Sequence, residues 1–235
     1  MTIWKIMDPC RTNSLPTADL KALIRKRWPR AVPSESEEKV VFDSGLPEFD
    51  ALFPLGGIPY GQLIEITGSA SSGKTSFLFK LLSHLTRAER AAYIDYSNNF
   101  FPSAAAAGHI DLSRLLLIKP DPISGRSNDV IKNGLRTAEI LLQHKAASWL
   151  VFDLVGQSEP LPITLLHRLR LKTVRVRALT IFLTEDNSAI IPSSMASLRL
   201  EVRRAENNDS SNSRVRVGIT KSRICKEGAR VELSL

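Results

Sequence analysis

Residues 68–75 match the pattern G-x-x-x-x-G-K-[ST] of a phosphate-binding loop. The loop follows the apolar run 63–66 and precedes the apolar helical pattern 77–82, so it joins a predicted strand to a predicted helix. Backbone N–H groups of such a loop surround a polyphosphate, and the helix N-terminus adds a favourable dipole. Lys74 supplies a positive charge for phosphate oxygens, and Thr75 supplies a hydroxyl ligand for Mg²⁺. The predicted nucleotide-binding residues are Gly68, Ser69, Ala70, Ser71, Ser72, Gly73, Lys74 and Thr75.

A phosphate loop works with a carboxylate at the end of a neighbouring strand, which helps to hold Mg²⁺. The run 148–153 supplies such a group, since it is an apolar strand pattern that ends in Asp153. An aspartate at a strand end is also a common helix cap. Because a phosphate loop lies upstream, we predict that Asp153 is a Mg²⁺ ligand together with Thr75.

Strand and helix patterns alternate through the chain between residues 63 and 184. Predicted strands are Leu63–Thr67, Ala91–Tyr96, Leu115–Ile118, Trp149–Val155 and Leu179–Thr184, with helices around 74–87, 102–107, 127–145 and 161–176. The strands are continuous apolar runs, as expected when both faces of a sheet are covered. We therefore predict an α/β fold with a mostly parallel twisted sheet flanked by helices.

The pattern changes after residue 196. Alternation with a period of two marks three further segments, Ser197–Arg203, Arg214–Lys221 and Arg230–Leu233, with a polar turn at 207–212. This pattern predicts an antiparallel extension at the edge of the sheet. At the other end, a short amphipathic helix at 17–30 and a polar linker predict a basic N-terminal arm over residues 1–39, followed by a core over residues 40–235.

Composition narrows the class of protein. Cys10 and Cys225 form neither a C-x-x-C motif nor a zinc-ligand spacing, which is typical of a reducing cytosol. No signal-peptide pattern and no uncharged apolar stretch of about 18 residues is present. We expect a cytoplasmic protein that does not span a membrane.

The net charge of +8 is distributed unevenly along the chain. Residues 161–235 hold 14 basic and 7 acidic side chains, whereas residues 40–160 hold 10 and 12. A basic last third is typical of nucleic-acid contact, but also of a solvated surface or of a phosphate site. Five cations at 168–177 spread around a helix rather than lining one side, so we expect any DNA contact to be weak.

The segment 45–68, from Gly45-Leu46-Pro47 to Ile66-Thr67-Gly68, resembles the region before the phosphate loop of RecA-type ATPases. Tyr93-Ile94-Asp95-Tyr96 is similar to the next strand of that family, and Asp153 to its Mg²⁺-binding aspartate. The resemblance covers residues 40–235. It implies a RecA-like core that binds ATP with Mg²⁺.

The departures from the family pattern concern hydrolysis. The family's catalytic glutamate falls on Ser97, and a serine cannot polarise the attacking water as a carboxylate does. The glutamine that senses the γ-phosphate falls on Glu185. The adenine-stacking tyrosine falls on Ala104, for which Phe100 or Phe101 is a substitute. The segments at the family's two DNA-binding loops, 156–162 and 186–194, are short.

A short RecA-like chain with reduced catalytic and DNA-binding segments resembles the ImuA family of accessory proteins. That resemblance implies a role in DNA repair, the SOS response to DNA damage and translesion synthesis. It implies an ImuB-like or other polymerase partner, and RecA as a further partner.

Two functions remain open at this stage. The first is an ATP-binding adaptor with slow or absent hydrolysis, favoured by Ser97 and the short loops. The second is an active DNA-stimulated ATPase, a recombinase paralogue that forms or remodels filaments. Glu185 is an alternative base. Lys221 and Arg223 match a Lys-x-Lys that acts on a neighbouring subunit's nucleotide in RecA-type filaments, so the resemblance implies action in trans if the chain self-associates.

Overall fold

The computed structural model describes residues 41–120, 127–186, 188–205 and 214–235. The predicted N-terminal arm, residues 1–39, and the predicted turn at 207–212 lie outside the described residues. No helix within the described ranges is long and apolar enough to cross a membrane.

The structure confirms the alternation of strands and helices. The strands are β1 Val41–Phe42, β2 Ile58–Pro59, β3 Gln62–Thr67, β4 Ala91–Asp95, β5 Leu115–Ile118, β6 Trp149–Asp153, β7 Leu179–Thr184, β8 Leu198–Arg204, β9 Arg214–Ser222 and β10 Arg230–Ser234. The α-helices are α1 Pro47–Asp50, α2 Lys74–Leu85, α3 Pro102–Ala107, α4 Ser127–Gln143 and α5 Ile163–Val176. A 3-10 turn covers Leu112–Arg114. The sequence patterns missed β1, β2 and α1, which are too short to show a period.

One sheet organises the core. Within the described residues its strand order is β10-β9-β8-β3-β7-β6-β4-β5, and every pair from β8 to β5 is parallel. The carboxyl ends of β3, β4, β6 and β7 therefore meet at one edge of the sheet, which is the usual place for a ligand site in such folds. In the pairing of β4 with β6, Asp95 lies opposite Asp153.

The predicted antiparallel extension is confirmed, since β9 pairs antiparallel with both β8 and β10. The extension joins the rest of the sheet through β8, which runs parallel to β3 with Glu65 opposite Arg199. Alternating residues show that one face of a strand is buried, but they do not encode its direction. The direction of β8 depends on residues 188–197, which bring the chain back to the end of the sheet at which β3 begins.

Two apolar clusters cover the faces of the sheet. Residues of α1, α2 and α3 pack on one face, and residues of α4 and α5 pack on the other. Strands β8, β9 and β10 contribute side chains to the first cluster only. Their second face instead carries charged side chains, among them Arg199, Arg203 and Arg216.

A buried ion pair lies where β8 joins the rest of the sheet. Both Nε and a terminal nitrogen of Arg199 lie 2.7 Å from Oε2 of Glu65, and the Thr184 hydroxyl donates to Oε1 at 3.1 Å. The Glu65 side chain is 2% exposed. Removal of one partner of a buried pair leaves the other charge uncompensated, so the loss of either side chain should weaken the junction of β8 with β3.

Candidate nucleotide-binding site

The phosphate loop turns back on itself between β3 and α2. The N–H of Ser72 donates to the carbonyl oxygen of Ser69 at 3.2 Å, and the buried Lys74 extends its Nζ to that oxygen at 3.0 Å. In the described part of the chain, the N–H groups of Lys74, Thr75 and Ser76 have no backbone acceptor. Free N–H groups at a helix N-terminus bind anions.

The glycines of the loop are required by packing against the C-terminal strands. A Cβ at Gly68 would collide with Ser72 Oγ and with the carbonyl oxygen of Val202 in β8. Gly73 has a φ of 89°, and a Cβ there would lie 2.5 Å from a methyl group of Val215 in β9. Strands β8 and β9 therefore pack directly against the phosphate loop.

Several observations test whether the loop fits a Mg-nucleotide. Ser72 Oγ is buried without a hydrogen-bond partner among the described residues, and Thr75 is exposed at the first turn of α2. Among those residues no group of three or more His, Cys, Asp or Glu is arranged to hold a metal. Mg²⁺ in phosphate sites is held by one or two carboxylates plus phosphate oxygens, so a sparse donor set fits.

Asp153 ends β6 as a buried carboxylate, 3% exposed. Its Oδ2 accepts a hydrogen bond from the Tyr93 hydroxyl at 2.8 Å, and its Oδ1 accepts one from the N–H of Val155 at 3.2 Å. Burial raises the pKa of Asp153, and the charge of Asp95 adds to that rise, whereas the two hydrogen bonds oppose it. Among the described residues no cation forms an ion pair with this carboxylate, and a bound Mg²⁺ would supply the positive charge.

Ser97 lies just beyond β4, beside these two carboxylates. Its hydroxyl donates to Oδ1 of Asp95 at 3.2 Å. Asp95 also accepts the N–H groups of Asn99 and Phe100, at 3.2 Å and 3.1 Å, so it shapes the turn after β4. Sequence reasoning gave no role to Tyr93 or Asp95. The apolar strand that carries both was the available signal, because side chains at its end must lie beside Asp153.

Glu185 follows β7, next to the strand that carries the phosphate loop. Its carbonyl oxygen accepts the Thr67 hydroxyl at 2.9 Å, which ties the ends of β3 and β7 together. The side chain is exposed, and its carboxylate has no hydrogen-bond or ion-pair partner among the described residues. Glu185 is therefore at the same edge of the sheet as Asp153, and no hydrogen bond or ion pair with a described residue holds its carboxylate in place.

The two predicted substitutes for the adenine-stacking tyrosine differ in exposure. Phe100 is buried, with its ring centroid 4.8 Å from that of Tyr93 and 5.8 Å from that of Phe79. The Phe100 ring is therefore unavailable for stacking on the adenine of a nucleotide. Phe101, at the start of α3, is 65% exposed.

Lys221 and Arg223 lie away from the phosphate loop of their own chain. Lys221 is opposite Arg199 at the middle of the sheet. The N–H of Arg223 donates to the carbonyl oxygen of Ser197, level with the beginning of β3, and its guanidinium donates to the carbonyl oxygen of Ser194 at 2.7 Å. Any action of these cations on a nucleotide thus requires a second subunit.

Comparison with known proteins identifies the family. The RecA N-terminal domain matches residues 32–160. The chain belongs to the RecA family. It is 28% identical to protein RecA of Lactobacillus delbrueckii subsp. bulgaricus over 218 residues, covering 77% of this chain and 63% of the relative. It is 27% identical to protein RecA of Levilactobacillus brevis over 229 residues, covering 82% of this chain and 59% of the relative.

The chain thus spans less than two thirds of the length of these RecA proteins. A crystal structure of a KaiC-like protein from the archaeon Pyrococcus horikoshii OT3 superposes with a TM-score of 0.61 at 19% identity, covering 84% of this chain and 94% of that one. At that identity the likeness concerns the fold. The RecA-like ATPase fold predicted from the sequence is therefore confirmed.

Proposed function

We propose that this chain binds ATP with Mg²⁺ and acts as an accessory protein of DNA repair that hydrolyses the nucleotide slowly or not at all. The observation that carries the proposal is the contrast between a complete phosphate cradle and a serine at the catalytic position. The Ser97 hydroxyl donates a hydrogen bond to Asp95, and the residue offers no carboxylate to the attacking water.

Each residue of the cradle has a distinct task in this proposal. The free N–H groups of α2 and the ammonium of Lys74 would hold the phosphates. Thr75 and Asp153 would hold Mg²⁺, which supplies charge neutralisation of the phosphate oxygens. The hydrogen bonds from Tyr93 and Val155 fix the Asp153 carboxylate in one rotamer, so its oxygens are positioned before the metal arrives.

For the biological role we propose an adaptor in damage-induced translesion synthesis, as in the ImuA family. An ImuB-like or other polymerase subunit, and RecA itself, are the proposed partners. The support is the RecA family membership, the short segments 156–162 and 186–194, and the substitution at Ser97. Bound ATP would then set the conformation of the chain and would not be consumed in repeated cycles of hydrolysis.

A second candidate is a DNA-stimulated ATPase that forms or remodels filaments. The intact pair of Lys74 and Asp153 favours it, together with the free carboxylate of Glu185 at the same edge of the sheet. In that case Glu185 would orient the water.

Two measurements on purified protein separate the candidates. Binding of a fluorescent ATP analogue, with Lys74→Ala as the control, tests the cradle. Release of phosphate with and without single-stranded DNA then tests turnover. Binding without significant turnover supports the adaptor, and DNA-stimulated turnover supports the ATPase. Equal affinity of wild type and Lys74→Ala contradicts both.

A further inference from the structure

Helix α5 exposes an apolar stripe that no other described element covers. Ile163 and Leu171 are each 59% exposed, and Val174 is 53% exposed. They lie on one side of the helix together with His167, at offsets of four, eight and eleven residues from Ile163. The stripe extends for about 16 Å along the helix axis.

The other long helices do not show this feature. Among the described side chains of α4, one large aliphatic is exposed, Ile140. The outer face of α2 carries Thr75, Ser76 and Lys80. The inner face of α5 is already filled, since Leu166 and Leu169 are buried against the sheet. Exposed large aliphatics at helical spacing, in addition to a complete inner face, mark a contact surface for another molecule.

Cations border the stripe, and acids are absent from α5. Arg168 and Lys172 lie on the side towards α4, where both contact the buried Glu139 at 2.7 Å and 3.4 Å. Arg170 and Arg175 have no ion-pair partner among the described residues. Among the described residues, Glu139 is the one carboxylate that pairs with these cations, and the border is therefore positive on both sides.

We infer that α5 is the docking surface for an acidic amphipathic helix of a partner protein. Such a helix would place its apolar residues on Ile163, Leu171 and Val174, and its carboxylates beside Arg170 and Arg175. Nucleic acid fits less well, because a phosphate backbone satisfies the arginines but leaves the aliphatics in contact with water. The inference gives a chemical class to the partner of the proposed adaptor and is independent of nucleotide binding.

The test uses two synthetic helical peptides of equal length, with leucine at the heptad a and d positions. One peptide carries glutamate at positions e and g, and the other carries lysine. Fluorescence anisotropy without nucleotide should show binding of the acidic peptide at least tenfold tighter than that of the lysine peptide. Because ATP binding is measured separately, failure here is distinguishable from failure of the nucleotide site.

Leu171→Ser and Val174→Ser should each weaken binding of the acidic peptide by about tenfold, since each removes a buried aliphatic contact. Ile140→Ser is the matched control and should leave the affinity unchanged. All three side chains are exposed, and a thermal melt checks that each variant is folded.

Four outcomes would overturn the inference. They are no binding of the acidic peptide, equal affinity for both peptides, an equal loss in Ile140→Ser, and unchanged affinity in Leu171→Ser. Self-association of wild type that is abolished by Leu171→Ser in sedimentation would assign the stripe to a second copy. Single-stranded DNA is the last competitor to test. If it displaces the peptide, binds Leu171→Ser with wild-type affinity and does not bind Arg170→Gln, the surface is a nucleic-acid site.

Discussion

The phosphate loop and the corner after β4 lie at the same edge of the sheet, but they differ in what their side chains can do. The loop retains a buried lysine, an exposed threonine hydroxyl and free helix N–H groups. The corner has Ser97, whose hydroxyl donates a hydrogen bond to the neighbouring Asp95. Binding a polyphosphate requires only the first set, whereas hydrolysis also requires a base near the water. The two functions of a RecA-like site are thus separable by single residues.

The largest effect should come from giving the corner a carboxylate. Ser97→Glu should raise the rate of ATP turnover by about 10²–10⁴, the usual contribution of a general base. Phosphate release at saturating ATP is the measurement, with Ser97→Gln as the control of similar size. A wild type that is already fast, and that loses its rate in Glu185→Gln, would show that Glu185 is the base and would contradict the adaptor reading.

Removing the ammonium from the loop should have the next largest effect. Lys74→Ala deletes a charge-assisted contact worth about 1.5–3 kcal/mol, so the dissociation constant of a fluorescent ATP analogue should rise about tenfold or more. Lys80→Ala removes an exposed lysine further along α2 and should bind normally. A normal affinity in Lys74→Ala would mean that the nucleotide is held elsewhere.

DNA binding should depend on salt more than on sequence. If the cations of the last third contact only phosphates, raising the salt from about 50 to 200 mM should weaken binding of single-stranded DNA by about tenfold or more. The measurement is anisotropy with a homopolymer and a mixed sequence, which should behave alike. Affinity that survives the higher salt would argue for base contacts instead.

Asp153 should limit the stability of the chain in the absence of ligand. Its pKa is raised by burial, so the folded state binds that proton more tightly than the unfolded state does. The free energy of unfolding should therefore fall as pH rises from the ordinary carboxyl range through the raised pKa. In Asp153→Asn that penalty is absent, and Tyr93 can reverse its hydroxyl to accept from the amide.

At neutral pH the Tm of Asp153→Asn should exceed that of wild type. The difference should vanish in acid, where both side chains are neutral. Thermal melts between the two pH limits measure it. A lower Tm for the variant at neutral pH would show that the hydrogen bonds outweigh the burial of charge.

The smallest effect is expected at Arg223. Its guanidinium contacts the carbonyl oxygen of Ser194, far along the sheet from the loop. Arg223→Ala should leave nucleotide affinity unchanged in dilute protein and should alter only ATP-dependent assembly. Sedimentation of Arg223→Ala mixed with Lys74→Ala tests action in trans. Assembly that is the same in both variants and in wild type would remove that role from Arg223.

Local patterns were sufficient to predict the strands and helices around the phosphate loop. The apolar runs, the loop glycines and the acid at the end of β6 are each signals that span only a few residues. The parallel pairing of β8 with β3 was not predictable in this way, because Glu65 and Arg199 are far apart in the sequence and neither pattern specifies the other. Period-two alternation in β8 is compatible with either direction.

In the site, too, local patterns predicted some residues, whereas contacts between residues far apart in the sequence were not predictable. Asp153 was predicted as a Mg²⁺ ligand, and the structure places it beside β4. Its hydrogen bond to Tyr93 was not foreseen, because the apolar run of β4 does not show which residues meet its end. Only burial shows which of Phe100 and Phe101 is available to stack on adenine. Two identical adjacent residues in the sequence do not show which of them is buried.

The position of β3 has a consequence for how the chain is made. Its two neighbours, β7 and β8, begin at Leu179 and Leu198, whereas β3 ends at Thr67. On the ribosome, the strand that leads into the phosphate loop therefore remains unpaired on both sides while almost half of the chain is synthesised. Until β7 emerges, this strand presents unpaired backbone N–H and C=O groups, together with its apolar side chains, to other nascent chains. We expect shortened products that stop before residue 179 to be insoluble unless a chaperone shields that strand.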